Sequence, residues 1–428
     1  MKGVTMRSFR SRMSAAVLSA SVLASTVLIG STAGTATAGQ PQNAAIRWNA
    51  EATDALIVTG LQGPTVSIMH LAMVHGAMYD AVNSIDRTHQ RYLGFVQAKA
   101  WYSKPAAAAT AAHAVLVSIV PTQADALDDA LDETLAGIAD GASKDGGVQV
   151  GQAAAAAMIT TRTGDGRFGT PGFPVGTLAG EWRPELPSFV NDPAAWIADV
   201  DPFVIADPVD FRTDGPAGLR SDRYARQFKE VKRVGSATST VRTADQTDAS
   251  LFWSEHPPAM WSRVFRELAT SEHLSIAESA RFFASLYVTA ADALISAWVD
   301  KRHYLFWRPI TAIRLANTDG NPVTTANTEW LPLLASPPYP DHPSGHASLS
   351  GSIVATLRRF FGTDDMEFGA TSAVTNTTRT FDHFSEAIDE IVDARVWSEI
   401  HFRAADVQAA RLGRQVSLYV AEHEFGRR

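Results

Sequence analysis

The segment from Ile276 to Trp307 constrains the fold more than any other part of the chain. Apolar residues recur through it at helical spacing, with Phe282, Leu286, Ala293 and Ala297 on one face, and two cations, Lys301 and Arg308, stand at its end. The same period runs from Ala52 to about Asn83, where Met69, Met73, Ala77 and Asp80 align. Lys104 to Val120 reads as a helix that stops at Pro121. Next comes a stripe of Leu127, Leu131 and Leu135 with Asp125, Asp128, Asp129 and Asp132 toward water, and then an alanine-rich helix from Gln149 to Thr163. Helices resume at Asp245 and recur over about Gly345 to Phe361, Phe384 to Arg395 and Phe402 to His423. Strand-like alternation is nearly absent. The expected class is all-α, and helix after helix with short connections implies bundles.

Three regions are expected after a leader: an N-terminal helical half (39–163), a connecting region (164–240) and a C-terminal bundle (241–428). The connecting region is rich in Gly and Pro, from Pro171 to Pro216. It also carries Trp182, Phe189, Trp196, Phe203 and Phe211, too many aromatics for a solvated tether. It is expected to lie over the helices and shape an entrance to a site.

Composition narrows the function classes. The 428 residues are 46% hydrophobic and 19% charged, with a net charge of −8, which argues against a nucleic-acid binder. Zero cysteines removes disulfides, thiolate metal sites and thiol nucleophiles together. Residues 1–38 read as an export signal. Lys2, Arg7, Arg10 and Arg12 precede an apolar run from Ala15 to Ile29, and Ala36-Thr37-Ala38 fits a cleavage site. A membrane anchor is the alternative. After removal of the signal the protein is expected to be soluble, off the membrane and outside the cytoplasm.

Three short clusters carry the chemistry. Lys301 and Arg308, seven apart, fall about two turns apart on one helix, roughly 10 Å along its axis; alone they could be a solvated basic patch with Arg302 and His303. Pro343-Ser344-Gly345-His346 opens a helix, with Ser344 a natural N-cap and Gly345 allowing a ligand close to the backbone. Free N–H groups and the helix dipole would then face one point where an anion binds, with His346 beside it to exchange protons. Arg395 and His401 lie about 120° apart on a continuous helix and converge only if it breaks between them. Otherwise Arg395 would pair with Glu390 or Glu399, and His401 would be a core histidine. His70, His75 and His303 lack ligand spacing and are given no role.

The order Lys301-x6-Arg308-Pro309, Pro343-Ser344-Gly345-His346, Arg395-x5-His401 resembles the signature of the vanadium-dependent haloperoxidases, which is shared with the type 2 phosphatidic acid phosphatase and acid phosphatase superfamily. The segments Met73–Asn83, Arg242–Thr247, Phe306–Pro309 and Ala394–Trp397 look like secreted bacterial members, so the resemblance covers about residues 45–428. It implies two four-helix bundles. It further implies a vanadate cofactor, with neither haem nor flavin, and hydrogen peroxide, a halide and a small organic acceptor as partners. By position Lys301, Arg308 and Arg395 would bind equatorial oxygens, and Ser344 and the Gly345 N–H would add hydrogen bonds. His401 would be the axial ligand and His346 the acid–base residue. Trp298 and Tyr339 match positions lining the halide side of the pocket.

Two departures stand out. Ala394 occupies a position where the family often has Ser. Phosphatases of the superfamily usually carry Asp four residues after the last histidine, and here that position is Ala405, with Asp406 about 140° off His401 on a regular helix. A backbone carbonyl is expected to orient His401 instead. The leading expectation is an exported haloperoxidase that oxidises bromide or chloride. An acid phosphatase with a phosphohistidine, and a non-catalytic oxyanion binder, are the alternatives.

Overall fold

The computed structural model describes residues 43–94 and 96–428, so the expected export signal lies outside the described residues. Five helices come first: α1 (Ala44–Thr53), α2 (Pro64–Asp86), α3 (Lys104–Ile119), α4 (Ala124–Ala136) and α5 (Ala142–Thr161). After the connecting region come α6 (Asp222–Val234), α7 (Ala244–Phe252), α8 (Pro257–Ser271), α9 (Ile276–Tyr304) and α10 (Pro309–Arg314). The chain ends with α11 (Gly345–Phe361), a hairpin of β1 (Asp365–Ser372) and β2 (Thr377–His383), α12 (Phe384–Trp397) and α13 (Arg403–His423). The molecule is mostly helical, as the periodicity predicts.

Helix α9 is the shared axis. Ser275 caps it in a reciprocal box with Glu278, and its residues are buried almost all round from Ser279 to Trp298, the pattern of a helix surrounded by others. It touches α2 on the N-terminal side and α11 and α13 on the C-terminal side. Helices α11 and α13 cross closely because Gly413 has no side chain there; a Cβ would meet the Ser348 carbonyl oxygen at 2.2 Å. That crossing holds the helix opened by Ser344 against the helix that follows His401.

The connecting region is ordered by a single carboxylate. Asp292, buried in the middle of α9, accepts hydrogen bonds from the N–H groups of Phe203 (2.6 Å), Val204 (2.8 Å) and Ile205 (3.0 Å). Trp182, Trp196, Phe203 and Phe211 are buried, and Phe189 is exposed.

Four expectations need correction. Against an expected near-absence of strands, β1 and β2 pair antiparallel between the helices expected at Gly345–Phe361 and Phe384–Arg395, with Phe368 opposite Phe381 and their rings 5.3 Å apart. Helix α5 starts at Ala142, not Gln149. Gly146 and Gly147 do not break it but let it approach Tyr102 and the Ser103 carbonyl. The Ala52–Asn83 stretch is split by a π-turn at Asp54–Val58 and restarts at Pro64, a residue suited to a first helical turn. Helix α9 ends at Tyr304, where Leu305 takes a left-handed conformation (φ 44°), so Arg308 is not on it.

Candidate active site

Three chain breaks bring the three clusters together. Lys301 sits in the last turn of α9, and Arg308 occupies the extended cap position before α10. Ser344 caps α11, its hydroxyl accepting from Ala347 N–H at 3.3 Å, and its own N–H donates to the Ala405 carbonyl at 3.0 Å. Arg395 is in the last turn of α12, and His401 lies in the break before α13, where Glu399 is left-handed (φ 71°). The break needed for Arg395 and His401 to converge is present.

Lys301, Arg308 and Arg395 are buried and none forms a salt bridge among the described residues; Glu390 pairs with Arg379 instead of Arg395. The three cations are held by neutral acceptors. Lys301 Nζ donates to the carbonyls of Pro340 (2.6 Å) and Asp341 (3.3 Å). Arg308 donates from Nε to the Tyr339 carbonyl (2.8 Å) and from Nη1 to the Ile400 carbonyl (2.6 Å). Arg395 Nη1 reaches the Trp253 carbonyl at 3.3 Å. Arg308 Nη2, Arg395 Nε and His346 Nε2 are shielded from water with no partner. A buried donor left unmade costs about 1–3 kcal/mol, more when charged, so this cradle fits a multiply charged oxyanion.

Burial sets the titration of the group. It pushes Lys301 well below the usual lysine range, helped by Arg308, and holds His401 and His346 well below the usual histidine value, with Arg308 and Arg395 respectively adding to the shift. An anion among them would reverse the trend by favouring the charged forms.

His401 is oriented by a carboxylate, not by the expected backbone carbonyl: its Nδ1 lies 2.9 Å from Asp341 Oδ1, with both side chains 1% exposed. Burial lifts Asp341 to about 7, against the opposing pull of Arg308 and Lys301. The sequence reading missed Asp341, although it stands three residues before Ser344; the pairing is to a residue sixty positions away, and no local spacing reveals it. Asp406 is buried, and burial pushes its carboxyl well above the usual range against the opposing hydrogen bond of Ser344 and the charge of Arg395.

Trp298 and Tyr339 are brought to the site. Their rings lie 4.9 Å apart, and Lys301 Nζ stands 5.4 Å and 4.8 Å from the two ring centres. Trp298 Nε1 donates to Asp192 Oδ2 at 3.1 Å, which ties the connecting region to the pocket wall. The space beside Gly345, expected to admit a ligand, is filled by Trp298: a Cβ on Gly345 would meet its ring at 2.7 Å. Beside His346 and Arg395 opens a cavity of about 300 Å³. His303 lies away from this cluster, and His70 and His75 line the N-terminal helices.

A helical-bundle protein with a buried, unpaired set of three cations and two histidines defines an oxyanion-binding class, and comparison with known proteins narrows it. Residues 281–425 match the family of the second helical-bundle domain of vanadium chloroperoxidase (VCPO). The vanadium chloroperoxidase of Curvularia inaequalis is 27% identical over 184 residues, covering 37% of this chain; the match spans only 29% of that protein's length. Among solved structures, a bacterial vanadium-dependent iodoperoxidase has a TM-score of 0.78 at 22% identity, covering 90% of this chain and 97% of the other. A holo-type bacterial vanadium-dependent chloroperoxidase has a TM-score of 0.66 at 17% identity, covering 84% and 92%. These two likenesses are of fold. Residues 281–425 are therefore similar to the second helical-bundle domain of vanadium chloroperoxidase, and the chain as a whole shares its fold with the bacterial vanadium haloperoxidases.

Proposed function

We propose that the protein is an exported vanadate-dependent haloperoxidase that oxidises bromide or chloride with hydrogen peroxide to hypohalous acid. The single observation that carries this reading is the set of three buried cations, Lys301, Arg308 and Arg395, with no carboxylate paired to any of them. The match of residues 281–425 to the second helical-bundle domain of vanadium chloroperoxidase supports it. Lys301, Arg308 and Arg395 would hold the oxygens of vanadate, with Ser344 and the Gly345 N–H adding hydrogen bonds and His401 Nε2 as the ring nitrogen that would ligate it. When bound, vanadate supplies an electrophilic centre at which hydrogen peroxide is activated without change of oxidation state.

The residues then have separable tasks. Asp341 accepts from His401 Nδ1–H, which fixes the tautomer and leaves the lone pair on Nε2, where Arg308 Nη1 stands 3.3 Å away. His346, held neutral by burial and Arg395, is ready to accept a proton at Nε2 when peroxide arrives and to return it when water leaves. Lys301 is positioned by two carbonyls to polarise an oxygen at the site. Trp298 and Tyr339 wall the side from which halide approaches. The balance is peroxide, halide and one proton giving hypohalous acid and water, with the halide losing two electrons.

The test is to add orthovanadate, peroxide and bromide to the protein and follow bromination of a phenol dye. Halide oxidation that depends on vanadate and fails in His346→Ala is the expected result. Its absence with every halide would sink the reading.

A second reading, an acid phosphatase, is favoured by one observation: the Asp341–His401 pair is also the arrangement that a nucleophilic histidine needs. His401 would form the phosphohistidine and His346 would protonate the leaving group. Hydrolysis of p-nitrophenyl phosphate, lost in His401→Ala, separates the two. Export from the cytoplasm is part of the proposal and rests on residues 1–38; a fusion of that segment to a reporter tests it.

A further inference from the structure

The cavity beside His346 and Arg395 has a feature that halide oxidation does not use. Its far wall comes from the start of α2 and the start of α8, where Pro64, His256 and Pro257 face the pocket. Leu294 and Pro338 continue an apolar lining toward Trp298 and Tyr339. Halide and peroxide, being small and polar, give no reason for an apolar chamber of about 300 Å³. That volume is at the lower end of the roughly 300–1,000 Å³ of small-molecule pockets, which suits an occupant of one or two rings.

His256 supplies the polar feature. Its Nε2 stands 3.0 Å from the Gln62 carbonyl oxygen, which can only accept, so Nε2 carries the proton. Nδ1 is then a lone pair, and it is shielded from water with no partner in the protein. Burial keeps the ring neutral, so the lone pair persists near neutral pH. The polar neighbours on this wall are spent elsewhere. Glu255 is bound by Arg263 (2.6 and 2.7 Å) and by Ala373 N–H (2.7 Å), and the Ser254 hydroxyl donates to the Leu251 carbonyl (2.6 Å). An acceptor in an apolar chamber selects an occupant that is flat, apolar and carries one donor.

We propose that this cavity seats the organic acceptor of the halogenation, a small hydroxylated aromatic ring, with its O–H donating to His256 Nδ1 and its face against Trp298 and Tyr339. This inference rests on the halide-oxidising reading above. Hypohalous acid formed beside His346 would meet the ring before escaping to solvent. A ring C–H bond breaks and a C–halogen bond forms; the hydroxide of the hypohalous acid takes the ring proton and leaves as water. The ring loses two electrons and the halogen gains them. The hydrogen bond to His256 raises electron density on the phenolic oxygen and so on the ring positions that are attacked.

The test uses the vanadate-loaded protein and two probes, phenol and anisole, which differ in the single donor. Binding is read first, without peroxide or halide, from quenching of tryptophan fluorescence. Phenol should bind about three- to tenfold tighter than anisole, the effect of one hydrogen bond, and His256→Ala should erase that difference. Product is read second: with bromide and peroxide, the ortho-to-para ratio of bromophenols should differ from that given by reagent hypobromite. Equal binding of phenol and anisole, with the product ratio of free hypobromite, would overturn the seat while vanadate-dependent bromide oxidation continues. Loss of bromide oxidation itself would instead overturn the reading on which the seat rests, and the phenol–anisole comparison would still report on His256. Because that comparison is made on the unaltered protein, it stands even if His256→Ala does not fold.

Discussion

Asp341 Oδ1 and His401 Nδ1 meet at 2.9 Å in a site where both side chains are closed to solvent. The same oxygen also lies 3.4 Å from the Phe402 N–H, so one carboxylate holds both the imidazole and the chain break that carries it. The position of His401 is therefore set by the loop before α11 as much as by the loop before α13.

Removing that carboxylate should loosen His401 without unfolding the protein. Asp341→Ala is expected to weaken vanadate binding by about 10- to 100-fold, the usual consequence of losing the group that orients a metal-bound histidine. Asp341→Asn, which keeps an oxygen acceptor and loses the charge, should fall between. Titration of orthovanadate against activity in the three proteins is the measurement, and unchanged affinity in Asp341→Ala would refute the orienting role.

Arg395 carries charge into a buried place with no salt bridge among the described residues, the buried Asp406 being the carboxyl that acts on it. Arg395→Gln should therefore leave the vanadate-free protein at least as stable as the parent, since an unpaired buried charge is costly. The parent should gain about 2.7 kcal/mol when vanadate is a hundredfold above its Kd, whereas the variant should gain far less. Urea unfolding with and without orthovanadate tests both halves, and equal stabilisation of the two proteins would count against Arg395 as a ligand of the oxyanion.

Glu185 provides a pH signature. Burial raises it from 4.5 to about 7, and buried Glu399, also pushed up, faces it. Between pH 4.5 and 7 the folded protein keeps a proton that the unfolded chain releases, so this group's contribution to stability is full below 4.5 and declines as pH rises to 7. Glu185→Gln, which keeps an acceptor for the Thr311 hydroxyl, should flatten the stability–pH curve across that window. Denaturant midpoints at pH 5 and pH 8 are enough: the variant should gain on the parent at pH 8.

Gly345→Ala should act through Trp298. The added Cβ would sit 2.7 Å from the indole, and overpacking of this kind costs about 1–3 kcal/mol. Trp298→Phe, which removes the clashing ring edge, should restore part of the loss in the double variant. Additive effects of the two substitutions in thermal unfolding would show that the ring is not what Gly345 accommodates.

Much of the site was readable from residue order. Lys301, Arg308, Ser344, Gly345, His346, Arg395 and His401 come together, Lys301 and Arg308 across the end of α9 and not along one helix, and the break between Arg395 and His401 is where the apolar pattern restarts. The all-helical class was readable too, because apolar residues repeat at one period over long runs. The hairpin at Asp365–His383 escaped because two short strands with a single buried face carry little periodic signal. The true end of α9 escaped because Leu305, a good helix former, takes the left-handed turn there.

Residue type and order by themselves determined which groups could carry chemistry: cations, histidines, a capped helix start and no thiols. Only the tertiary structure decided how those groups are paired. The carboxylate on His401 comes from Asp341, the filler of the Gly345 notch is Trp298, and the clamp on the connecting region is Asp292. Each of these joins residues far apart in the chain, and such pairs are set by helix crossings, which local spacing does not encode. Whether a buried cation has a direct ion-pair partner is likewise settled only by three-dimensional neighbours, and the three cations without one among the described residues are what point to an oxyanion.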